Sequence, residues 1–367
     1  MVILSKKNVK ILDKKKHNGI ISFWKFCFCL MIIIYHARLF ADKNDYILLP
    51  LGSIGVEFFF IVSGYFMAKK ALNTANDSNS LGKETISFIL VKIKSLLPYV
   101  LFSGLLSLIF LNIYTNMNTY ENISSIWDLL LLKMVGLKGT QVNGPVWYLS
   151  SMLLCMFILY PLIRKYKKEF IYIIIPLIIL LGSGIINQNV SNFRNPNDWL
   201  GFTFLGNIRA LIELSIGSAI YVICEKIKNT EFTIIGKISI TIIEIFGFIT
   251  PFIVSQFIAS KKYDFIIILI LSISILLAFT EKTLEYNILS NKFSYWLEKI
   301  SLPLYIFNHP IRIFMLNSSL FSNINYYQKT LIFIIITFVV SIISMYIIEY
   351  LKKKNYYLKT IKKVFIK

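Results

Sequence analysis

Long apolar stretches separated by short polar segments run along almost the whole chain. Ten of these stretches approach or exceed the roughly 20 residues that a helix needs to cross the hydrocarbon core of a bilayer. They lie at about 20–40, 50–68, 95–114, 146–163, 170–187, 207–224, 235–257, 263–280, 299–316 and 330–350. The pattern predicts an all-α integral membrane protein, a polytopic bundle of about ten transmembrane helices.

The polar segments between these stretches are too short to fold as separate soluble domains. We therefore expect a single transmembrane domain at 20–350, flanked by a basic N-terminal tail at 1–19 and a basic C-terminal tail at 351–367. A cleavable signal peptide is not expected, because no small-residue cleavage pattern follows the first apolar stretch.

Composition and charge agree with this interpretation. Hydrophobic residues make up 56% of the chain, charged residues 16%, and the mean hydropathy is +0.67. The net charge is +20, and most of the 39 Lys and Arg residues fall on the side of the predicted membrane that holds both tails. By the positive-inside rule, both termini are cytoplasmic in a multi-pass protein of the cell membrane. The charge therefore indicates topology and contact with membrane lipids rather than binding to nucleic acid.

Metal binding is not expected. The cysteines Cys27, Cys29, Cys155 and Cys224 all fall inside predicted spans. Cys27 and Cys29 point about 200° apart around a helix, so they suggest neither a disulfide framework nor a zinc site.

Lys25 and His36 are the most informative residues of the first span, "KFCFCLMIIIYH". Eleven residues make three helical turns plus about 20°, so both side chains project from nearly one face, about 16 Å apart along the axis. Ionisable groups in hydrocarbon are costly and mark candidate sites. A cation and a base so placed suit an extended anionic substrate. Alternatively, Lys25 reaches the headgroups and His36 is a hydrogen-bonded polar residue of the bundle.

The second span, "LGSIGVEFFFIVSGYFMAKK", combines small residues with bulky aromatic ones. Its three glycines and two serines indicate close contact with a neighbouring helix. Glu57 is an acid just inside the membrane; it either orients and charges a histidine or bonds to a neighbouring helix.

These two spans resemble membrane-bound acyltransferase family 3. The family pattern is an Arg, ten residues and a His, followed by a "GV(D/E)xFFxxSG"-like segment, to which "GVEFFFIVSG" is similar. Further similar segments are "VKIKSLLPYV", "VWYLSSMLLCMFILYPLI", "RALIELSIGSAIY" and "ISLPLYIFNHPI", and the resemblance covers about 18–350. Lys25 replaces the family's Arg, which keeps the charge but loses the planar fork that binds phosphate or carboxylate.

The resemblance implies transfer of an acyl group, usually acetyl, from cytoplasmic acyl-CoA to a hydroxyl of a surface polysaccharide, glycolipid or related acceptor, in a bacterial membrane. Acyl-CoA is then a co-substrate, and no permanently bound cofactor is expected. His36 takes the position of the catalytic histidine, with Glu57 beside it, and Lys25 takes the position on the CoA side. We group Lys92 and Lys94 of the basic stretch with Lys25.

The chemistry suits these residues. A neutral imidazole acting as a general base accelerates attack of a sugar hydroxyl on a thioester by about 10²–10⁴. The resulting oxyanion needs hydrogen-bond donors. The candidates for binding substrate or this oxyanion are Trp147, Tyr148, Arg209, His309 and Arg312. Each has an alternative: membrane-interface aromatics for Trp147 and Tyr148, interface anchoring or pairing with Glu57 or Glu213 for the two arginines, and a helix-end polar role for His309.

Two other classes of protein remain open at this point. A transporter or flippase of a lipid-linked saccharide uses similar buried charges along its substrate path. A membrane sensor without catalysis is a second alternative, although no soluble sensory or output domain is visible in the sequence.

Overall fold

The computed structural model describes residues 18–74, 80–189, 195–258 and 263–365, and these residues confirm the predicted all-α fold. Apart from one isolated bridge between Trp199 and Phe204, no strand pairing occurs in these ranges. The α-helices are α1 (Gly19–Ala37), α2 (Gly55–Asn73), α3 (Leu81–Thr115), α4 (Thr119–Ser124), α5 (Ile126–Leu129), α6 (Val146–Glu169), α7 (Ile175–Asn189), α8 (Leu205–Ile227), α9 (Ile234–Phe257), α10 (Asp264–Thr280), α11 (Tyr286–Leu289), α12 (Lys292–Asn317) and α13 (Tyr326–Phe365). The N-terminal tail lies outside the described residues up to position 17.

Every predicted span coincides with a helix, but not every such helix is uniformly apolar. Within the described residues, five segments are long and apolar enough to cross a membrane. They are Gly19–Phe40, Leu81–Thr115, Val146–Gln188, Ile234–Phe257 and Tyr326–Lys354. The helices α2, α8 and α12 fall outside this set, and they carry several of the ionisable side chains discussed below, among them Glu57, Arg209 and Arg312. The total of ten spans stays a prediction.

The apolar segment Val146–Gln188 is a hairpin rather than one straight helix. Near its start, the Cys155 thiol donates to the carbonyl of Asn207, 3.4 Å away. Near its end, a Cβ at Gly182 would lie 2.8 Å from the Ile212 side chain. A straight helix from Cys155 to Gly182 would be roughly 40 Å long, which is far longer than the short piece of α8 that both ends touch. The chain therefore turns back, at the non-helical Tyr166 and the π-helical residues 170–174 that follow it. This segment accounts for two of the predicted spans.

Two predicted boundaries differ from the observed ones. The third span was predicted at 95–114, but α3 already begins at Leu81, where the Ser80 side chain caps the helix by accepting from the Lys83 amide. At the other end of the chain, α13 continues to Phe365, so the basic tail extends the last helix without a break in the backbone. In both places, lysines lie on helical backbone, where their long side chains can reach the headgroup region.

Glycines bring α2 against α8, as the small residues of the second span predicted. A Cβ at Gly64 would lie 2.2 Å from the carbonyl oxygen of Leu214, and a Cβ at Gly217 would lie 1.9 Å from that of Ile61. Only residues without a side chain permit this approach. The close contact sets α2 and α8 at a separation that lets Glu57 reach Arg209 in the protein interior.

Helices α1 and α12 run parallel along their contact. The Lys25 ammonium binds Glu298, the Cys29 thiol donates to the carbonyl of Ser301, and His36 contacts Arg312, so the residue numbers rise together on both helices. Because Cys29 is fully buried in this seam, the seam is packed shut between its polar ends. We call these ends of the bundle the Lys25 end and the His36 end.

We predict that the Lys25 end and both chain termini face the cytoplasm. Cysteine labelling or reporter fusions at positions 45, 80, 122, 166, 195 and 355 test this orientation. Positions 45, 122 and 195 should give external signals and the other three internal ones, because most basic residues then lie inside. An internal signal at position 45 together with external signals at positions 80 and 166 would show that the topology is the inverse of the predicted one.

Candidate active site

His36 and His309 are joined by a single guanidinium. Arg312 Nη1 lies 3.0 Å from His36 Nδ1, and Arg312 Nη2 lies 2.8 Å from His309 Nδ1. Guanidinium nitrogens only donate hydrogen bonds, so both Nδ1 atoms accept, and each ring carries its proton on Nε2. A cation beside each ring also disfavours a second proton on it. The two histidines are therefore neutral imidazoles of the same tautomer.

A proline in α12 accounts for the local geometry around these residues. Pro310 lacks an amide hydrogen, which leaves the carbonyl of Ile306, four residues earlier, without its helical donor. The Ser103 hydroxyl of α3 donates to this oxygen at 3.1 Å, and the Asn143 amide donates to the Ser103 hydroxyl at 2.8 Å. The interruption thus ties the segment of α12 that carries His309 to α3 and to the loop that precedes α6.

This loop is held by a buried carboxylate. Asp128 accepts hydrogen bonds from the backbone amides of Val142 and Asn143, at 3.0 and 3.1 Å. Burial raises the pKa of Asp128, while the nearby Lys133 and the two amides lower it. Burial likewise lowers the pKa of Lys133, to about 8. Asp128 therefore fixes residues 141–145, which form one wall of the site.

A cavity of about 170 Å³ lies between this loop and the ends of α1, α6, α8 and α12. Its polar and aromatic lining consists of Tyr35, His36, Ser53, Gln141, Trp147, Asn197, Arg209, Tyr305 and Arg312. Four of the residues predicted as catalytic or substrate-binding thus share one small cavity: His36, Trp147, Arg209 and Arg312. We call it the His36 cavity.

Glu57 lies behind this cavity and binds Arg209, which was one of the alternatives that the sequence left open. Both side chains are almost completely buried, at 0% and 1% exposure, and their charged groups are hydrogen-bonded. Glu213 lies one turn beyond Arg209 on α8 and is also fully buried. The guanidinium of Arg209 stacks over the Trp147 ring, 5.3 Å from its centroid. The predicted contact between Glu57 and His36 is not formed, because each of them is engaged by an arginine.

The remaining two residues predicted to bind substrate lie beside the cavity rather than on its wall. The Tyr148 hydroxyl is 3.2 Å from Ser63 Oγ, and its ring packs against Phe60 and Tyr305. His309 is buried behind Arg312, close to Gly144, where a Cβ would lie 3.1 Å from its Nδ1. Both side chains support the walls of the cavity.

At the opposite end, Lys25 forms an ion pair. Its Nζ lies 2.6 Å from Glu298 Oε1, and the Ser22 hydroxyl donates to Glu298 Oε2 at 3.2 Å. The side chains of Lys25 and Glu298 are 19% and 33% exposed, so the pair faces an aqueous recess. Lys25 also lies over the ring of Phe66, 5.6 Å from its centroid.

Two wide cavities open at the Lys25 end and share the lining residues Phe66, Lys70 and Thr74. One measures about 680 Å³ and includes Glu298 and Lys69; the other measures about 660 Å³ and includes Lys92. Lys94 is exposed and lines neither of them. Side chains two positions apart on a helix point about 200° apart. Helix α3 can therefore direct only one of these two lysines into the cavity.

One stripe of α2 connects the two ends. Most α2 residues are buried, but Phe59, Ser63, Phe66 and Lys70, spaced three to four residues apart, are partly or fully accessible. Val56, one turn before Phe59, lines the His36 cavity, whereas Phe66 and Lys70 line both cavities of the Lys25 end. Between these positions, Ser63 lies 3.2 Å from the Tyr148 hydroxyl. The accessible residues of α2 therefore lie along the line between the two ends.

The comparison with protein families agrees with this arrangement. Residues 18–350 match the family model described as an acyltransferase domain, that of acyltransferase family 3. The chain belongs to this family. The match includes both ends of the bundle, so the two sites lie inside one acyltransferase domain. No curated protein and no solved structure matches the chain.

Several residues around the acyltransferase site were not anticipated from the sequence. Gln141, Asn197 and Ser53 line the His36 cavity from loops and a 3₁₀ turn, where no periodic pattern singles them out. Tyr305 does lie in the family-like segment "ISLPLYIFNHPI"; its hydroxyl donates to the carbonyl of Pro145 at 3.1 Å. Glu298, the partner of Lys25, lies just before that segment and was not recognised.

Replacing Lys25 should weaken the use of the acyl donor by this acyltransferase. We expect Lys25→Ala to raise the KM for acetyl-CoA by about tenfold and Lys25→Arg to retain most of the affinity. The reason is that the expected charge-assisted contact to a CoA phosphate is lost in Lys25→Ala and kept in Lys25→Arg. Lys25→Glu should be worse than Lys25→Ala, since it puts a second carboxylate beside Glu298. The measurement is acyl transfer at varied acetyl-CoA concentration.

Lys94→Ala is the matched control, because it removes an exposed lysine that lines neither cavity of the Lys25 end. If Lys25→Ala binds acetyl-CoA normally at normal expression, Lys25 is only an anchor at the membrane surface.

Proposed function

We propose that this membrane acyltransferase moves an acyl group, with acetyl as the expected one, from acyl-CoA bound at the Lys25 end to a hydroxyl of a saccharide bound in the His36 cavity. The accessible stripe of α2 carries the proposal, since its residues line the cavities of the Lys25 end and extend towards the His36 cavity. A wide basic recess suits a nucleotide, and a small cavity with imidazole, amides and indole suits a sugar. Cell-surface polysaccharides and glycolipids are the proposed acceptors.

The donor side is supported by charge. The two cavities are lined by Lys69, Lys70, Lys83 and Lys92 beside Glu84, Glu281 and Glu298, and Lys25 pairs with Glu298. Lysines thus outnumber carboxylates here, and ammonium groups bind phosphate as point charges. The acyl-pantetheine arm of CoA is extended and largely apolar, which suits the stripe past Phe66, Ser63 and Phe59. Its thioester then arrives at the wall of the His36 cavity, where Val56 and Tyr305 lie.

His36 is the proposed general base. Its Nδ1 lone pair accepts from Arg312 in this structure, so the acceptor hydroxyl has to replace the guanidinium at that atom before proton transfer. The hydroxyl proton then moves to Nδ1 while the oxygen forms a bond to the thioester carbon. When the tetrahedral intermediate collapses, the carbon–sulfur bond breaks and the CoA sulfur takes the proton from His36. Such assistance is worth about 10²–10⁴ in rate.

The oxyanion of the intermediate needs donors in a water-poor cavity. Trp147 and Arg209 line the cavity and are the donors that we propose. Arg209 is held by Glu57 and covers the Trp147 ring, so it is oriented before the substrate arrives. Tyr148 is left out of this role because its hydroxyl faces Ser63 on the α2 stripe.

Acyl transfer by the purified protein separates this proposal from the alternative, a transporter or flippase of a lipid-linked saccharide. The protein in lipid nanodiscs should transfer label from acetyl-CoA to saccharides, and mass spectrometry of surface glycans should show acyl groups that disappear when the gene is deleted. A transporter gives neither result: deletion would remove the glycan itself or leave its acylation intact. Transport of unmodified saccharide without any transfer of label would refute the proposal.

A further inference from the structure

The partly buried Arg312 has no acidic partner, unlike the two arginines that are buried among the described residues. Arg164 binds the carboxylate of Glu84, and Arg209 binds that of Glu57. Arg312 instead donates to two neutral imidazoles, and its Nε–H is buried without a hydrogen-bond partner among the described residues. None of the ion pairs formed in the described part of the chain includes it.

A guanidinium in this setting is costly. Removing a cation from water is offset only by an opposite charge with good hydrogen-bond geometry, and His36 and His309 provide no negative charge. Arg312 uses only two of its five N–H groups on the histidines, which leaves Nε–H and one hydrogen on each Nη for a further partner. The free donors and the unbalanced charge both indicate an anionic ligand.

The lining of the His36 cavity shows where such a ligand would lie. Among the described residues that line it, two are arginines and none is an aspartate or glutamate. The amides of Gln141 and Asn197 and the hydroxyl of Ser53 offer hydrogen bonds to sugar hydroxyls. The cavity measures about 170 Å³, whereas one water molecule occupies about 30 Å³ of liquid. The space therefore equals that of a few water molecules, which is enough for one sugar residue. The ligand is therefore small, polar and negatively charged in one place.

We propose that the acceptor is an acidic saccharide whose carboxylate or phosphate binds Arg312 next to the hydroxyl that His36 activates. This inference rests on the proposed function, and it names the chemical class of the acceptor. An anion at Nε also draws the guanidinium away from His36 Nδ1, which frees the lone pair that the general base needs. Recognition of the acceptor and release of the base are thereby coupled through one side chain.

The test compares matched acceptors: octyl β-glucoside, octyl β-glucuronide and octyl β-glucoside 6-phosphate. The full-length protein in nanodiscs receives labelled acetyl-CoA and each acceptor in turn. We expect kcat/KM to be about tenfold or more higher for an acidic acceptor than for the neutral glucoside, as for a charge-assisted hydrogen bond. The glucuronide and the 6-phosphate distinguish a carboxylate from a phosphate as the recognised group. Equal use of all three acceptors overturns the proposal.

Variants of Arg312 separate recognition from general support of the site. Arg312→Gln should abolish the preference for the acidic acceptor, mainly through KM, and Arg312→Lys should keep it. If Arg312 only holds the histidines, Arg312→Gln slows all acceptors by the same factor and the preference persists, which also overturns the proposal. Arg38→Gln is the control, because it removes an exposed guanidinium at the same end and should leave the preference unchanged.

A binding measurement keeps this inference distinct from the proposed function. If no acceptor is acylated, the acyl-transfer proposal fails, and thermal unfolding then judges the anion site alone. Millimolar octyl β-glucuronide or the 6-phosphate should raise the unfolding temperature of the unmodified protein more than octyl β-glucoside does, and should not do so for Arg312→Gln. Identical shifts with all three glycosides refute the anion site, whether or not transfer occurs.

Discussion

Replacing His36 with Ala or Gln should lower acyl transfer by about a hundredfold or more while the protein remains folded and inserted. His36 lines the small cavity, is kept neutral by Arg312, and offers the only imidazole among the described residues of the cavity wall. Gln is the more informative replacement, because its amide oxygen can still accept from Arg312 and so preserve the packing. The assay follows labelled acetyl-CoA, with membrane abundance measured in parallel.

His309 gives a contrast within the same cluster. It accepts from the same guanidinium but does not line the cavity, so His309→Gln should reduce transfer less than His36→Gln does. Near-normal transfer by a well-expressed His36→Gln protein would remove the general-base hypothesis. It would also remove the main chemical reason for preferring His36 over His309.

Replacing Arg209 with Met should destabilise the protein by about 3–5 kcal/mol, the usual cost of leaving a buried charge without its partner. The substitution leaves the buried Glu57 carboxylate without its cationic partner, in an interior that excludes water and that also holds Glu213. We expect low membrane abundance and a strongly reduced unfolding temperature in detergent. Activity per folded molecule should fall as well, because Arg209 also covers Trp147.

The double variant Arg209→Met/Glu57→Gln tests the cause. It removes the stranded charge, so much of the lost stability should return, although the guanidinium over Trp147 stays absent. Lys228→Met is the matched control, since Lys228 pairs with Glu225 at the exposed end of α8 and should make no measurable difference. If Arg209→Met is as stable as the unmodified protein, the pair between Arg209 and Glu57 is not what holds α2 to α8.

The sequence by itself determined the helical class, the presence of a helix at each predicted span and the ionisable residues that mark the two polar ends. Apolar stretches near 20 residues can satisfy their backbone in a bilayer only as helices, so their number and spacing predict the architecture directly. Lys25 and His36 stand out for the same reason, since a charge or a base in hydrocarbon needs a partner. His36, Trp147, Arg209 and Arg312 are each predicted as site residues by the sequence, and all four line one cavity.

Only the tertiary structure decided which partner each ionisable group takes. Glu57 had two plausible partners, a histidine or an arginine of another helix, and the glycine contact between α2 and α8 brings Arg209 to it. His36 is instead held from α12, because α1 and α12 pack in parallel and Pro310 frees that segment to bond with α3. Spacing along one helix reports which side chains share a face, but it carries no information about which helix lies opposite.

The same limit explains the residues that the sequence did not reveal. Gln141 and Asn197 reach the cavity from loops. The sequence does not distinguish Lys92 from Lys94, but only Lys92 lines a cavity in the fold. Asp128 acts only by holding residues 141–145. Periodicity indicates which residues share a face of one helix, whereas a cavity forms where several helices and loops meet. The local sequence pattern therefore predicts the helices of this acyltransferase, whereas the site between them arises only from their packing.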